Sequence, residues 1–273
     1  MSLEPIVKFA SKSFTLPDTC TKLRTMLDDP RASVDDIARI MSVDPSLSAK
    51  VLRLANSALF RFQNQITTVP KALGVIGGEA AYNISMAETA NLAFKSFASE
   101  AIDFNQFWEK AVLGGLIAKS IAQQRQIRGS DRYFVIGILH NLSELICATR
   151  LPEKYLKYKD LLDEYPPLEA QMTVFNFTFA HCSGLILKNW QIPESIYEAL
   201  LKFSLSEDSL GNFDCAVVYA SSGMAHYNLG ADFIHQSSTP EILIDTIGLT
   251  DDEYDIISEF ARVESLKIAS ALN

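Results

Sequence analysis

Long apolar runs, export signals and common catalytic signatures are missing from these 273 residues, and histidine is scarce, with only four. Charged or amide side chains interrupt every apolar stretch before it reaches about 18 residues, which excludes a membrane-spanning helix. The N-terminus has no basic region leading into an apolar core and a small-residue cleavage site, so export is not expected. Only four cysteines occur. Cys20, Cys147, Cys182 and Cys215 lack CxxC spacing and read as small buried thiols of a reduced, cytoplasmic protein rather than as disulfides or zinc ligands. GxGxxG, P-loop, GxSxG and HExxH patterns are absent, and the Gly77-Gly78 pair is too short to cradle a phosphate. His181 and Cys182 are adjacent, so on a helix they point about 100° apart and do not form a Cys–His pair. Asp28-Asp29 and Asp35-Asp36 read as helix-end and loop carboxylates rather than as a paired acid and base.

Basic charge is also scarce: 24 Lys and Arg stand against 33 Asp and Glu, a net charge of −9. Residues 1–100 hold 11 basic and 10 acidic side chains, which leaves 13 and 23 for the rest. Much of the excess lies between Asp245 and Glu264. Such a surface repels phosphate backbones, so nucleic acid is a disfavoured partner. The first part offers only Arg53 and Arg61 as neighbouring cations.

What is present is helical. No alternating run longer than four residues occurs, and 48% of the chain is hydrophobic, enough for a large core. Leu16-Pro17-Asp18 is expected to form an entry turn with a proline and an N-cap before a helix bearing Leu23, Met26 and Leu27. Ser33 caps a helix with Asp35 and Asp36 in its first turn and a stripe of Ile37, Ile40 and Met41. Asp44 caps the next, with Pro45 at its first position. Thr68 and Pro70 start another, ended by Gly74, Gly77 and Gly78. Beyond residue 100 the helices lengthen. Residues 104–124 place Trp108, Ala111, Val112, Gly115 and Leu116 on one broad face, and Tyr133 to Thr149 reads as one central apolar helix. Pro152, Pro166-Pro167 and Pro193 mark later helix starts, and Gly184 permits close backbone approach. Residues 236–250 are expected to be a loop-rich link before an acidic helix from Thr250 to Ala271. The expected architecture is all-α: two packed helical lobes over 1–100 and 101–235, and an acidic helical extension over 236–273 packed on the second lobe.

Within Leu52-Arg53-Leu54-Ala55-Asn56-Ser57-Ala58, Asn56 falls among apolar neighbours. A buried amide costs about 1–3 kcal/mol unless paired, so Asn56 is expected to clamp a neighbouring loop, with a recognition role as the alternative.

These segments together resemble the HDOD family, bacterial regulatory domains related to HD phosphohydrolases. Leu16-Pro17, Asp44-Pro45, the 52–58 run, Ile66-Thr67-Thr68-Val69, Ala72-Leu73 and Ile76-Gly77 carry the resemblance. So do Gly137-Ile138-Leu139-His140-Asn141, Ala180-His181 with Gly184, Trp190-Gln191-Ile192-Pro193 and Ala199, in a consistent order over residues 10–230. The resemblance implies an HD-like helical bundle in the second lobe. Active HD enzymes hold divalent metals through histidines and carboxylates. Here Lys110 stands where the first family histidine would, Asn141 replaces the doublet aspartate after His140, and His181 survives. Phe203-Ser204 stands in place of paired histidines, and Ser221-Ser222 in place of a later aspartate. His226 and His235 lack spacing that matches His140 or His181. Glu144, one turn beyond His140, is expected to pair with Lys110 in place of a metal. The resemblance therefore implies a non-catalytic signalling module without a cofactor, acting on protein partners, with a groove expected between the two lobes and lined by Lys110, His140, Asn141 and His181. The alternative is a divergent metal-dependent phosphohydrolase acting on a nucleotide or cyclic dinucleotide.

Overall fold

Local capping chemistry divides the chain into helices. A computed structural model describes residues 3–60, 65–227 and 239–272. The first helices are α1 (Glu4–Ser13), α2 (Asp18–Leu27), α3 (Val34–Ser42), α4 (Pro45–Ala55), α5 (Val69–Ile76) and α6 (Gly78–Ser96). The central ones are α7 (Phe104–Gln124), α8 (Asp131–Leu139), α9 (Leu142–Arg150), α10 (Pro152–Leu161) and α11 (Pro167–Phe175). Then follow α12 (Phe179–Asn189), α13 (Glu194–Lys202), α14 (Glu207–Leu210), α15 (Phe213–Tyr227), α16 (Glu241–Ile247) and α17 (Asp251–Leu272). No strand occurs among the described residues.

Several helix ends match their expected caps. The Ser33 hydroxyl accepts from the Asp36 amide while the Asp36 carboxylate accepts from Ser33 N–H, a reciprocal box that satisfies two end groups. Asp44 accepts from Ser46 and Leu47 N–H, and Thr68 accepts from Lys71 N–H. Gly77, at φ +83°, closes α5 and lets α6 begin at once. Thr250 and Glu253 box the start of α17.

Three expectations change, and one helix, α6, had no expectation attached to it. Pro17, rather than a side-chain oxygen, precedes α2. α6 had no clear signal because Asn83, Ser85, Glu88, Thr89 and Asn91 are buried on it beside its apolar residues, which blurs any stripe. The segment 236–250 contains α16, with Leu243 and Ile247 buried, while 228–238 lies outside the described residues. The expected helix from Tyr133 to Thr149 is two helices, broken at His140-Asn141. There the His140 ring takes the Gly137 carbonyl, and Glu144 N–H returns only three residues to Asn141 O.

α7 runs through the middle of the molecule, packed by α8, α15 and α17, while α6 lies against α8. Its crossing with α8 is a backbone contact. A Cβ on Gly137 would lie 2.6 Å from Gly115 Cα, and one on Gly115 would lie 2.6 Å from Phe134 O. The apolar core continues across residue 100, where Phe94 meets Phe107 and Trp108 edge-on with centroids 5.4 and 5.8 Å apart. Trp108 Nε1–H donates to Ala269 O at 3.1 Å, fastening α17 to α7. All four cysteines are buried free thiols.

Candidate functional site

The helix break at His140 opens onto a cavity of about 370 Å³. Its walls come from α7 (Phe107, Lys110), the break (His140, Asn141), α9 (Glu144), α10 (Tyr155, Tyr158), α11 (Gln171) and α15 (Tyr219, Ser222, His226).

His140 is only 4% exposed. Its Nδ1 lies 2.6 Å from the Gly137 carbonyl, an acceptor only, so Nδ1 carries the proton. Burial pushes its pKa down to about 4, and the Lys110 charge acts the same way. The ring is therefore neutral at pH 7, and Nε2 is a bare acceptor. That nitrogen is buried and has no hydrogen-bond partner among the described residues.

Lys110 Nζ lies 3.0 Å from His226 Nδ1 and donates to it. Burial lowers the Lys110 pKa, opposed by Glu144. Burial also brings His226 down to about 4, with Lys110 contributing. Glu144 is raised by burial, against the pull of Lys110 and of Tyr155 O–H, which donates to Glu144 Oε1 at 3.0 Å. The expected Lys110–Glu144 contact is thus corrected. The amine bonds His226 and the carboxylate bonds Tyr155, while the two charges influence each other across the cavity.

His181 does not join this group. Its Nδ1–H donates to Leu201 O at 2.8 Å, tying α12 to α13. Those helices touch through backbone at Gly184, where a Cβ would lie 2.8 Å from Leu201 N, and the close packing commits His181 to that side. Asn56 is exposed rather than buried, because it ends α4 instead of continuing the apolar face. It does clamp a loop: Nδ2 donates to Leu52 O and Ile66 O at 2.7 and 2.8 Å, and Oδ1 accepts from Ile66 N–H at 2.7 Å. Arg61 and His235 lie outside the described residues. Phe203 is core, Ser221 donates to Val218 O, and Ser222 reaches the cavity wall.

Sequence reasoning missed His226, Tyr155, Tyr158 and Gln171. Tyr219, Ser222 and His226 recur at i, i+3 and i+7, a polar stripe on an otherwise apolar helix that could have revealed α15 as a wall.

The donor set does not fit the metal that active HD enzymes hold. Among the described residues, no three His, Cys, Asp or Glu side chains are grouped to hold an ion. An ammonium also sits among the two imidazoles and the carboxylate, opposing a divalent cation.

The sequence profile of the HDOD domain matches residues 14–204. An uncharacterized protein of Treponema pallidum (strain Nichols) is 24% identical over 189 residues, which are 68% of this chain and 36% of that protein. The chain spans about a third of that relative's length. Among solved structures, a proposed phosphohydrolase from Shewanella amazonensis aligns with TM-score 0.72 at 17% identity over 98% of both chains. An HDOD domain protein of unknown function from Geobacter sulfurreducens aligns with TM-score 0.67 at 18% identity, covering 99% of this chain and 98% of its own. A proposed signal transduction protein from Marinobacter aquaeolei aligns with TM-score 0.65 at 17% identity over 95% of this chain and 59% of its own.

Proposed function

Because the chain belongs to the HDOD family, we propose that it is a non-catalytic regulatory module that works by binding: a protein partner in cytoplasmic signalling, with the cavity beside α7 as a small-ligand pocket. The observation that carries this reading is Lys110. Its ammonium lies 3.0 Å from His226 on the wall that also holds His140 and Glu144. A divalent ion there would compete with the Lys110 amine for the same space and find too few anionic donors to hold it. Phosphoryl hydrolysis by the HD route needs such an ion to activate water.

The rival reading is a divergent phosphohydrolase, favoured by the full-length likeness to the Shewanella protein and by two imidazoles and a carboxylate sharing one cavity. Metal content separates the two. Untagged protein prepared without chelator and exposed to Mn²⁺, Fe²⁺ and Zn²⁺ is expected to retain no stoichiometric ion by mass spectrometry. An ion retained at one per chain, and lost in His140→Ala, overturns the regulatory reading.

A further inference from the structure

The polar groups of the cavity specify more than the presence of a ligand. Its charged wall residues are Lys110 and Lys159, Asp103 and Glu144, so two cations are matched by two anions. Burial favours the neutral forms of both Lys110 and Glu144. Passing a proton from one to the other leaves the total unchanged, so the balance holds in either state. Both imidazoles on the wall are uncharged at neutral pH. A phosphorylated ligand would thus surrender its hydration without meeting a net positive field in return.

Hydrogen bonding gives the complementary requirement. His140 Nε2 is a buried acceptor without a partner among the described residues, a condition that a ligand donor relieves. Lys110 spends one N–H on His226 and has two others to offer. A Cβ on Gly114 would lie 3.7 Å from His140 Cε1, and Gly114 is one helical turn beyond Lys110, so the two groups sit about one turn of α7 apart on the wall of the same cavity. Around them stand rings and aliphatic groups: Phe107, Tyr155, Tyr158, Leu162 and Leu168. The volume of about 370 Å³ falls within the range of small-molecule pockets.

We infer that this cavity takes an uncharged, ring-bearing small molecule that donates an O–H or N–H to His140 and accepts from Lys110, in preference to a phosphorylated compound. This deepens the regulatory reading and rests on it.

Phenol and phenyl phosphate share a ring and differ in the phosphate, which makes them suitable probes. The full chain, labelled with ¹⁵N-histidine, is titrated with each and followed at the ring nitrogens. Phenol is expected to shift His140 Nε2 and to bind at least about tenfold more tightly than phenyl phosphate, a difference of about 1.4 kcal/mol. His140→Gln should weaken phenol by about tenfold. Leu168→Trp, at a half-buried wall position, should block phenol by filling the cavity while the melting temperature stays near that of the parent. The inference is overturned if phenyl phosphate binds as tightly as phenol, if phenol binds without moving the His140 ring, or if phenol fails to bind up to its solubility limit. Release of inorganic phosphate from phenyl phosphate by Mn²⁺-treated protein is a separate readout, and a positive result there defeats the regulatory reading itself.

Discussion

His140 is a base held in its neutral form, and this gives the stability of the protein a direction in pH. The unfolded ring titrates near 6.5 and the folded one near 4. As pH falls between those values the unfolded chain takes up the proton first, so stability declines across that window and is fully present above it. The whole shift corresponds to roughly 3 kcal/mol, and by pH 5 about 2 kcal/mol of it is lost. Urea midpoints at pH 7 and pH 5 should therefore differ less in His140→Gln than in the parent chain; equal differences would show that this ring is not the titrating group. At Asn56 the expected effect is mechanical. Asn56→Ala removes three hydrogen bonds to Leu52 and Ile66 and should cost about 1–3 kcal/mol, read as a lower melting temperature. An unchanged melting temperature would return the residue to the recognition role. That Asn56 clamps a loop was legible from its amide among apolar neighbours. Its exposure was not, because the end of α4 depends on where the chain turns toward Ile66.

At the scale of helices, what was legible was local. Ser33 with Asp36, Asp44 with Pro45, and Thr68 before Val69 satisfy their own N–H groups within three residues, so the pattern is visible in one dimension. The division of the central apolar stretch into α8 and α9 was not, since both halves are buried and nothing in their composition marks the break. The α7–α8 crossing shows the same limit. Gly115 was readable as one member of an apolar face, but not as the point where two backbones touch. Gly137→Ala places a methyl 2.6 Å from Gly115 Cα and 2.8 Å from Gly114 O, backbone atoms that cannot rotate away. It should cost about 3 kcal/mol through forced helix separation. A urea midpoint unchanged by this substitution would mean the crossing is looser than its geometry indicates.

For the molecule as a whole, the family match ends at residue 204, yet α15 and α17 lie beyond it. α15 brings His226 to the cavity, and α17 buries Tyr254, Ile257, Ala261, Ile268 and Leu272. A fragment of residues 14–204 should therefore lack a sharp thermal transition by circular dichroism, because α7 loses two of the helices packed against it. A cooperative melt would show that the earlier helices form a self-sufficient unit. The overall all-α plan was readable from the chain. The cavity was only half readable, because its walls are assembled from residues more than a hundred positions apart, such as Lys110 and His226. The glycine crossing carries one more consequence. Since backbone meets backbone where α7 passes α8, the spacing between these helices does not depend on which side chains line the adjacent cavity. Frame and lining can then be inherited separately, so that a lineage exchanges one binding chemistry for another without renegotiating its architecture.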